Sequence, residues 1–298
     1  MQLLAHITAH LIIYSALVLS LSFAVSKVNI WSVGHLGFFG IGSVCAAALL
    51  ATQPTLYTFP CTVLVAATAG ALLSALLGFA TLRLKQDFFV ILSLAFSEVV
   101  LGVCISWKGP AGFNNLARPT VLGISLEDDW VFIGVVLLPF FIAAGAVFVR
   151  FSRMRIDRVC ALIQANEELA MVLGVSPLYY KVGCFCLASA TASVWGALAT
   201  IYARSTDPNQ ISIESNLLLF SALLFGGLNS LRGSILGGLL LVVVPSLLEA
   251  TLSYSPFGGN YAAEFRQLLM GCLLIVVVRW MPKGLVGATT LNHSRGGR

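Results

Sequence analysis

Glu98 is the hardest residue in this chain to place without a purpose. It sits inside an apolar run that opens at Asp87, and eleven residues of helix put it about 16 Å beyond that aspartate. If Asp87 marks a membrane surface, Glu98 lies near the bilayer midplane. An ionisable group there is costly and is a functional candidate by default. It either ties two helices together, protonated, or meets a solute in transit. A second candidate is the stretch Gly34, His35, Gly37, Phe38, Phe39, Gly40, Gly42. Its glycines and aromatics suit a broken helix or tight packing near a bundle axis; non-helical backbone at that depth must be buried or line a cavity. His35 reads as a ligand or proton carrier, or as a hydrogen-bonded packing histidine. A third runs from Phe225 through Gly226, Gly227, Asn229 and Arg232 to Gly233, Gly237 and Gly238, where one helix ends and another begins. The two glycine-rich stretches occupy comparable places in the two halves, which hints at a duplicated architecture.

Other chemistries find no footing. The sequence has no phosphate-cradling GxxxxGK[ST] loop, no HExxH and no regular arginine series in an apolar run. No Ser/His/Asp set is recognisable from spacing. His6 and His10 share a helix face but bring no acidic or cysteine partner, so no metal site is expected. The seven cysteines form no CxxC pair and lie mostly in apolar runs, as small buried side chains. No enzyme activity and no cofactor bound by this chain are expected.

The elements that must carry these residues follow from composition. Of 298 residues, 58% are hydrophobic and 10% charged, against roughly 25% charged in a soluble domain; mean hydropathy is +0.95. This predicts an all-α polytopic membrane protein, with 1–298 as a single transmembrane domain. About nine transmembrane helices (8–10) are expected, at residues 3–25, 34–51, 59–82, 88–107, 130–149, 180–203, 214–228, 233–250 and 264–281. Residues 26–40 either cross or re-enter. The first run lacks a basic leader and counts as a true span. The net charge of +5 is dispersed and reads as topology rather than nucleic-acid binding. With the 150–181 loop placed in the cytoplasm, 13 basic residues lie inside and 4 outside. The positive-inside rule then puts the N-terminus out and the C-terminus in. Trp107 and Trp130 suit an interfacial belt. Small residues crowd Ala66–Ser74 and Ala188–Gly196, which favours close helix approach in lipid.

Residues 150–181 are the one long polar stretch. Arg150, Arg153, Arg155 and Arg158 open it, and Val159, Leu162, Ile163, Leu169, Ala170 and Leu173 fall on one side of a single amphipathic helix. Gly174 reads as its stop, and Ser176–Pro177 as the cap and first turn of the next helix. This is either a plain polar loop or a docking surface for a cytoplasmic partner.

Several stretches, in order along residues 34–287, resemble one family: the LivM-type permease subunits of bacterial branched-chain amino acid ABC importers. Gly34 to Gly42 is similar to its first glycine-rich segment. Leu82 to Val99, with Asp87, Phe89, Ala95, Phe96 and Glu98, is similar to its acidic helix. Lys108 to Gly112 echoes an outer loop. Gly226, Gly227, Leu228, Ser230, Gly233 and Gly237 match its turn, and Pro282, Gly284, Leu285 and Gly287 its closing motif. The resemblance implies an ABC importer permease bundle in the bacterial inner membrane. It also implies two ATPase subunits that hold the ATP, a second homologous permease and an extracytoplasmic solute-binding protein. ABC permeases dock their ATPase through a helix with an EAA-like pattern, which Glu167, Glu168, Ala170 and Gly174 resemble. The substrate path would pass Gly34, His35, Gly37, Phe38, Phe39, Glu98, Gly226, Gly227 and Asn229. Asn229, Arg232 and Gln86 depart from the family pattern and keep urea or short amides open as the solute. An ion-coupled secondary carrier, with Glu98 and His35 as its coupling site, is the reading outside this class.

Overall fold

The computed structural model describes residues 2–51, 57–82, 86–119, 128–227 and 231–253, and five isolated helical positions between 268 and 279. Every described regular element is a helix, as lipid demands of a chain that must satisfy its own backbone. In order these are α1 (Gln2–Val28), α2 (His35–Leu50), α3 (Thr58–Thr81) and α4 (Gln86–Lys108). Then come α5 (Asp129–Phe132), a π turn (Ile133–Leu137) and α6 (Leu138–Phe151), which form one rod. The short helices α7 (Arg155–Ala165) and α8 (Glu167–Val172) lead into α9 (Pro177–Ala203). A 3-10 turn (Pro208–Ile211), α10 (Ile213–Gly226) and α11 (Leu231–Ser253) follow. Five of these rods are long and apolar enough to cross a membrane, among the described residues. Eight of the nine predicted spans coincide with described helices. The ninth, at 264–281, lies almost wholly outside the described residues.

Two coinciding helices are short. α2 has 16 residues and α10 has 14, fewer than the ~20 a full crossing needs. Chain that is not α-helical precedes both: residues 29–34 before α2, and the segment from Ser205 with its 3-10 turn before α10. α1 continues as helix through Val28, so the segment in question at 26–40 is a six-residue connection and not a further helix. The glycines of α2 do not break it; of the two sequence readings, tight packing is the one that holds. Pro139 explains the π turn before α6. Its ring cannot accept the carbonyl one turn back and it has no N–H to offer, so the preceding turn widens.

α9 is the pillar of the bundle, packed along α3, α2 and α1, while α1 also packs on α11 and α10 on α11. The two small-residue faces read from the sequence meet each other. The buried side of α3 repeats every four residues as Thr62, Ala66, Gly70, Ser74, Gly78. A Cβ on Gly70 would strike Ser193 of α9, and Ser193 Oγ donates to the Ala66 carbonyl at 2.7 Å. α2 and α9 approach as closely. A Cβ on Gly42 would land on the Ser193 carbonyl, and one on Gly196 on the Phe39 carbonyl. Ser43 and Thr200 hydroxyls join the pair at 2.7 Å. Helices with no hydrophobic drive between them in lipid are held by such contacts. The far faces of α3, α4 and α6 stay exposed, with Leu72, Leu76, Ile91, Val99, Val103 and Ile142 outward.

One sequence reading is corrected. Residues 159–173 do not make a single amphipathic helix. Asn166 is extended (φ −162°, ψ 109°) and splits the stretch into α7 and α8. Its side chain caps α8 by accepting from Leu169 N–H at 3.0 Å, a bond that asparagine makes more readily than it continues a helix. The break turns the apolar register. Cys160, Ile163 and Ala170 are buried, whereas Leu169 and Leu173 face outward.

Candidate functional site

The first candidate region is the junction of α2, α4 and α10. Ser97 lies eleven residues into α4, about 16 Å along a rod of 23 residues and so near its middle. There the Asn216 amide of α10 reaches across. Its Oδ1 accepts the Leu36 N–H in the first turn of α2 at 3.0 Å. Its Nδ2 donates to Ser97 Oγ at 2.8 Å and to the Ile211 carbonyl at 2.9 Å. Ser97 Oγ donates to the same carbonyl at 3.2 Å. One turn along α4, Ser93 Oγ accepts the Gly34 N–H at 3.3 Å, and a Cβ on Gly34 would strike the Ser93 carbonyl. Thus the otherwise unpaired first-turn amides of a short helix are answered inside the bundle by two partner helices. Asn216, fully buried, escaped the sequence reading. A buried amide in an apolar run was the available signal.

The predicted path residues divide between places. Gly37 and Phe38 pack on α4: a Cβ on Gly37 would touch Ser97 Cα, and the Phe38 and Phe96 rings lie 4.9 Å apart. His35 is fully buried, and its Nε2 meets Ser20 Oγ of α1 at 2.9 Å. Phe39 backs onto Gly196. Glu98, beside Ser97, has one carboxylate oxygen buried and without a hydrogen-bond partner among the described residues. It stands at the edge of α4's exposed face, between Ala95 and Gly102; a Cβ on Gly102 would meet nothing. Gly226 and Gly227 lie elsewhere, ten residues or more down α10 from Asn216. Gly226 packs on the Gly233 carbonyl of α11. Asn229 lies outside the described residues.

The second region is the loop of α7 and α8, and four contacts tie it to the bundle. Lys27 at the end of α1 pairs with Asp157 at 2.7 Å. Gln164 Nε2 donates to the Ser26 carbonyl at 2.8 Å. Lys181 of α9 pairs with Glu167. The buried Cys160 and Cys184 sulfurs lie 3.7 Å apart. α7 and α8 are therefore fastened to α1 and α9. Glu168 is exposed and Ala170 fully buried. At Gly174 the chain turns left-handed (φ +81°), with Gly174 N–H donating to the Met171 carbonyl and Val175 N–H to the Ala170 carbonyl, both at 3.0 Å. That is the Schellman stop that the sequence anticipated. Leu169, Met171, Val172 and Leu173 are left pointing out of the chain, Val172 83% exposed. Nothing among the described residues covers this apolar cluster.

A family model described as "Branched-chain amino acid transport system / permease component" matches residues 3–278. The chain belongs to this family. It is a multi-pass membrane permease component. Among similar proteins, the high-affinity branched-chain amino acid transport system permease protein LivM of Escherichia coli (strain K12) is 26% identical over 305 residues, covering 93% of this chain and 68% of that one. A probable LivM of Methanocaldococcus jannaschii is 24% identical over 234 residues, covering 75% and 67%. The permease protein LivH of Salmonella typhimurium is 30% identical over 144 residues, 48% of this chain and 43% of its own. No solved structure matches the chain.

Proposed function

We propose that this permease is one of two membrane subunits of an ATP-driven importer for branched-chain amino acids. It sits in a bacterial cytoplasmic membrane with α7, α8 and the C-terminus on the cytoplasmic side. Two ATPase subunits supply the ATP chemistry, and an extracytoplasmic binding protein delivers the solute. The observation that carries this reading is α8. Four apolar side chains point away from the bundle, while the loop that carries them is pinned to α1 through α7 by Lys27–Asp157 and Gln164–Ser26, and to α9 through α8 by Lys181–Glu167. A partner seated on Leu169, Met171, Val172 and Leu173 would move those two helices with it. α9 in turn carries α2 and α3.

The solute path we propose runs along α4. A second permease covering the exposed face around Ala95 and Gly102 would place the half-buried Glu98 beside the seam between subunits. Gly34, Gly37 and Phe38 support that wall from behind through Ser93, Ser97 and Phe96. Deleting the gene in a strain without a redundant system should abolish low-concentration uptake of leucine, isoleucine and valine; normal uptake there would overturn the substrate. An ion-coupled carrier is less well supported, since His35 is engaged by Ser20 and no hydrogen bond joins it to Glu98 among the described residues. ATP depletion should stop uptake, and collapse of the ion gradient alone should not.

A further inference from the structure

Between the α7–α8 hinge and the bundle lies a cavity of about 430 Å³, edged by Gln164, Asn166 and the Glu167–Lys181 pair described above. That is the size range of small-molecule sites. Its floor is apolar, from Ile30, Leu82, Phe89 and Ile163. Its rim carries the carboxamides of Gln86, Gln164 and Asn166, and the opposed charges of Glu167 and Lys181. The Lys181 side chain keeps 16% of its exposure and that of Glu167 51%, so the pair is partly withdrawn from water at one edge of the cavity.

We propose that this cavity binds a small zwitterion with a hydrocarbon side chain, an aliphatic α-amino acid, from the side of the membrane that α8 faces. The chemistry fits in each part. An α-ammonium can take the place of Lys181 against Glu167 while the α-carboxylate meets Lys181. One ion pair becomes two, and neither Lys181 nor Glu167 is left without an opposite charge. Carboxamides on the rim supply neutral hydrogen bonds to both groups. The aliphatic side chain covers the floor of Ile30, Leu82, Phe89 and Ile163. Urea and a second carboxylate lack one or other of these complements: urea brings no apolar tail, and glutamate places a negative charge on an apolar floor. Binding acts on transport because Glu167–Lys181 is one of the ties between α8 and α9. A ligand inserted there holds the coupling loop in place, and the accumulated solute slows its own import. That consequence rests on the importer reading; the binding itself does not.

The test uses the complete transporter, purified with its partner subunits in nanodiscs, without nucleotide or binding protein. Tritiated leucine should bind saturably, be displaced by isoleucine and valine, and resist displacement by glutamate or urea. Gln86→Trp, which fills the cavity, and the isosteric Glu167→Gln should each weaken binding at least tenfold. ATPase activity stimulated by loaded binding protein should fall several-fold with excess free leucine in the unmodified complex and be insensitive to it in Gln86→Trp. Absence of saturable binding, or binding undiminished in both variants, overturns the site. A complex that shows no ATPase stimulation at all overturns the importer reading instead, and leaves the binding result to stand by itself.

Discussion

Asn216 uses both ends of its carboxamide inside the bundle, joining α10 to α2 and α4 at mid-depth. Replacing it by leucine keeps the volume but orphans the Leu36 N–H and loosens Ser97. Each unpaired buried group costs about 1–3 kcal/mol, so the melting temperature of the detergent-solubilised protein should fall by several degrees. Gly196→Ala should do the same by forcing the Phe39 carbonyl away, at about 1–3 kcal/mol of overpacking. Gly183→Ala is the matched control on the same helix: a Cβ there meets nothing, and the melting temperature should hold or rise slightly. Glu98→Gln is a different kind of change. It alters no described hydrogen bond, so assembly should survive while uptake falls; unchanged uptake would make Glu98 a structural carboxyl.

At the scale of elements, the α7–α8 loop is tied to α1 and α9 and keeps one face free, as the proposed lever requires. Val172→Asp or Met171→Asp alters only exposed surface. Both should leave thermal stability within about 0.5 kcal/mol, the usual range for such sites, and yet strip the ATPase from the purified complex. Copurification in normal ratio would remove α8 as the docking surface. The fixing to α9 can be locked. A diamide-type oxidant should take two electrons and two protons from Cys160 and Cys184 to form a disulfide, seen as a link between the fragments on either side of the 161–183 stretch. Uptake should drop, recover with dithiothreitol, and be indifferent to oxidant in Cys160→Ser.

For the molecule as a whole, the short helices α2 and α10, with the 29–34 connection and the turns from Ser205 before them, bring open backbone into an apolar bundle. Lipid would not tolerate that backbone, and Asn216, Ser93 and Ser97 are what shield it. In the proposed assembly, the exposed faces of α3, α4 and α6 would meet lipid and a second permease. Sidedness can be checked directly. A single cysteine introduced at Arg153, on a background with the native cysteines replaced, should react with an impermeant maleimide only from the cytoplasmic side. Labelling from outside would reverse the orientation and remove the coupling account with it.

The sequence alone determined what depends on solvent and on near neighbours. Long apolar runs had to become helices, because lipid offers the backbone no other partner. A glycine after the last turn had to stop α8 at Gly174, because a left-handed residue closes a helix most cheaply without a side chain. The small faces on α3 and α9 were visible as spacing, though not that they face each other. Tertiary structure decided the rest. Leu36 and Asn216 lie 180 positions apart and Ser193 and Ala66 127 apart, and no local period carries such pairings. Asn166 could have continued a helix or capped one; the burial of Cys160 beside Cys184 and of Ala170 on the far side of the break fixes the second. Which amides go unpaired, and which glycines admit a neighbour's carbonyl, depends on how whole helices cross, and that is set only when the bundle closes.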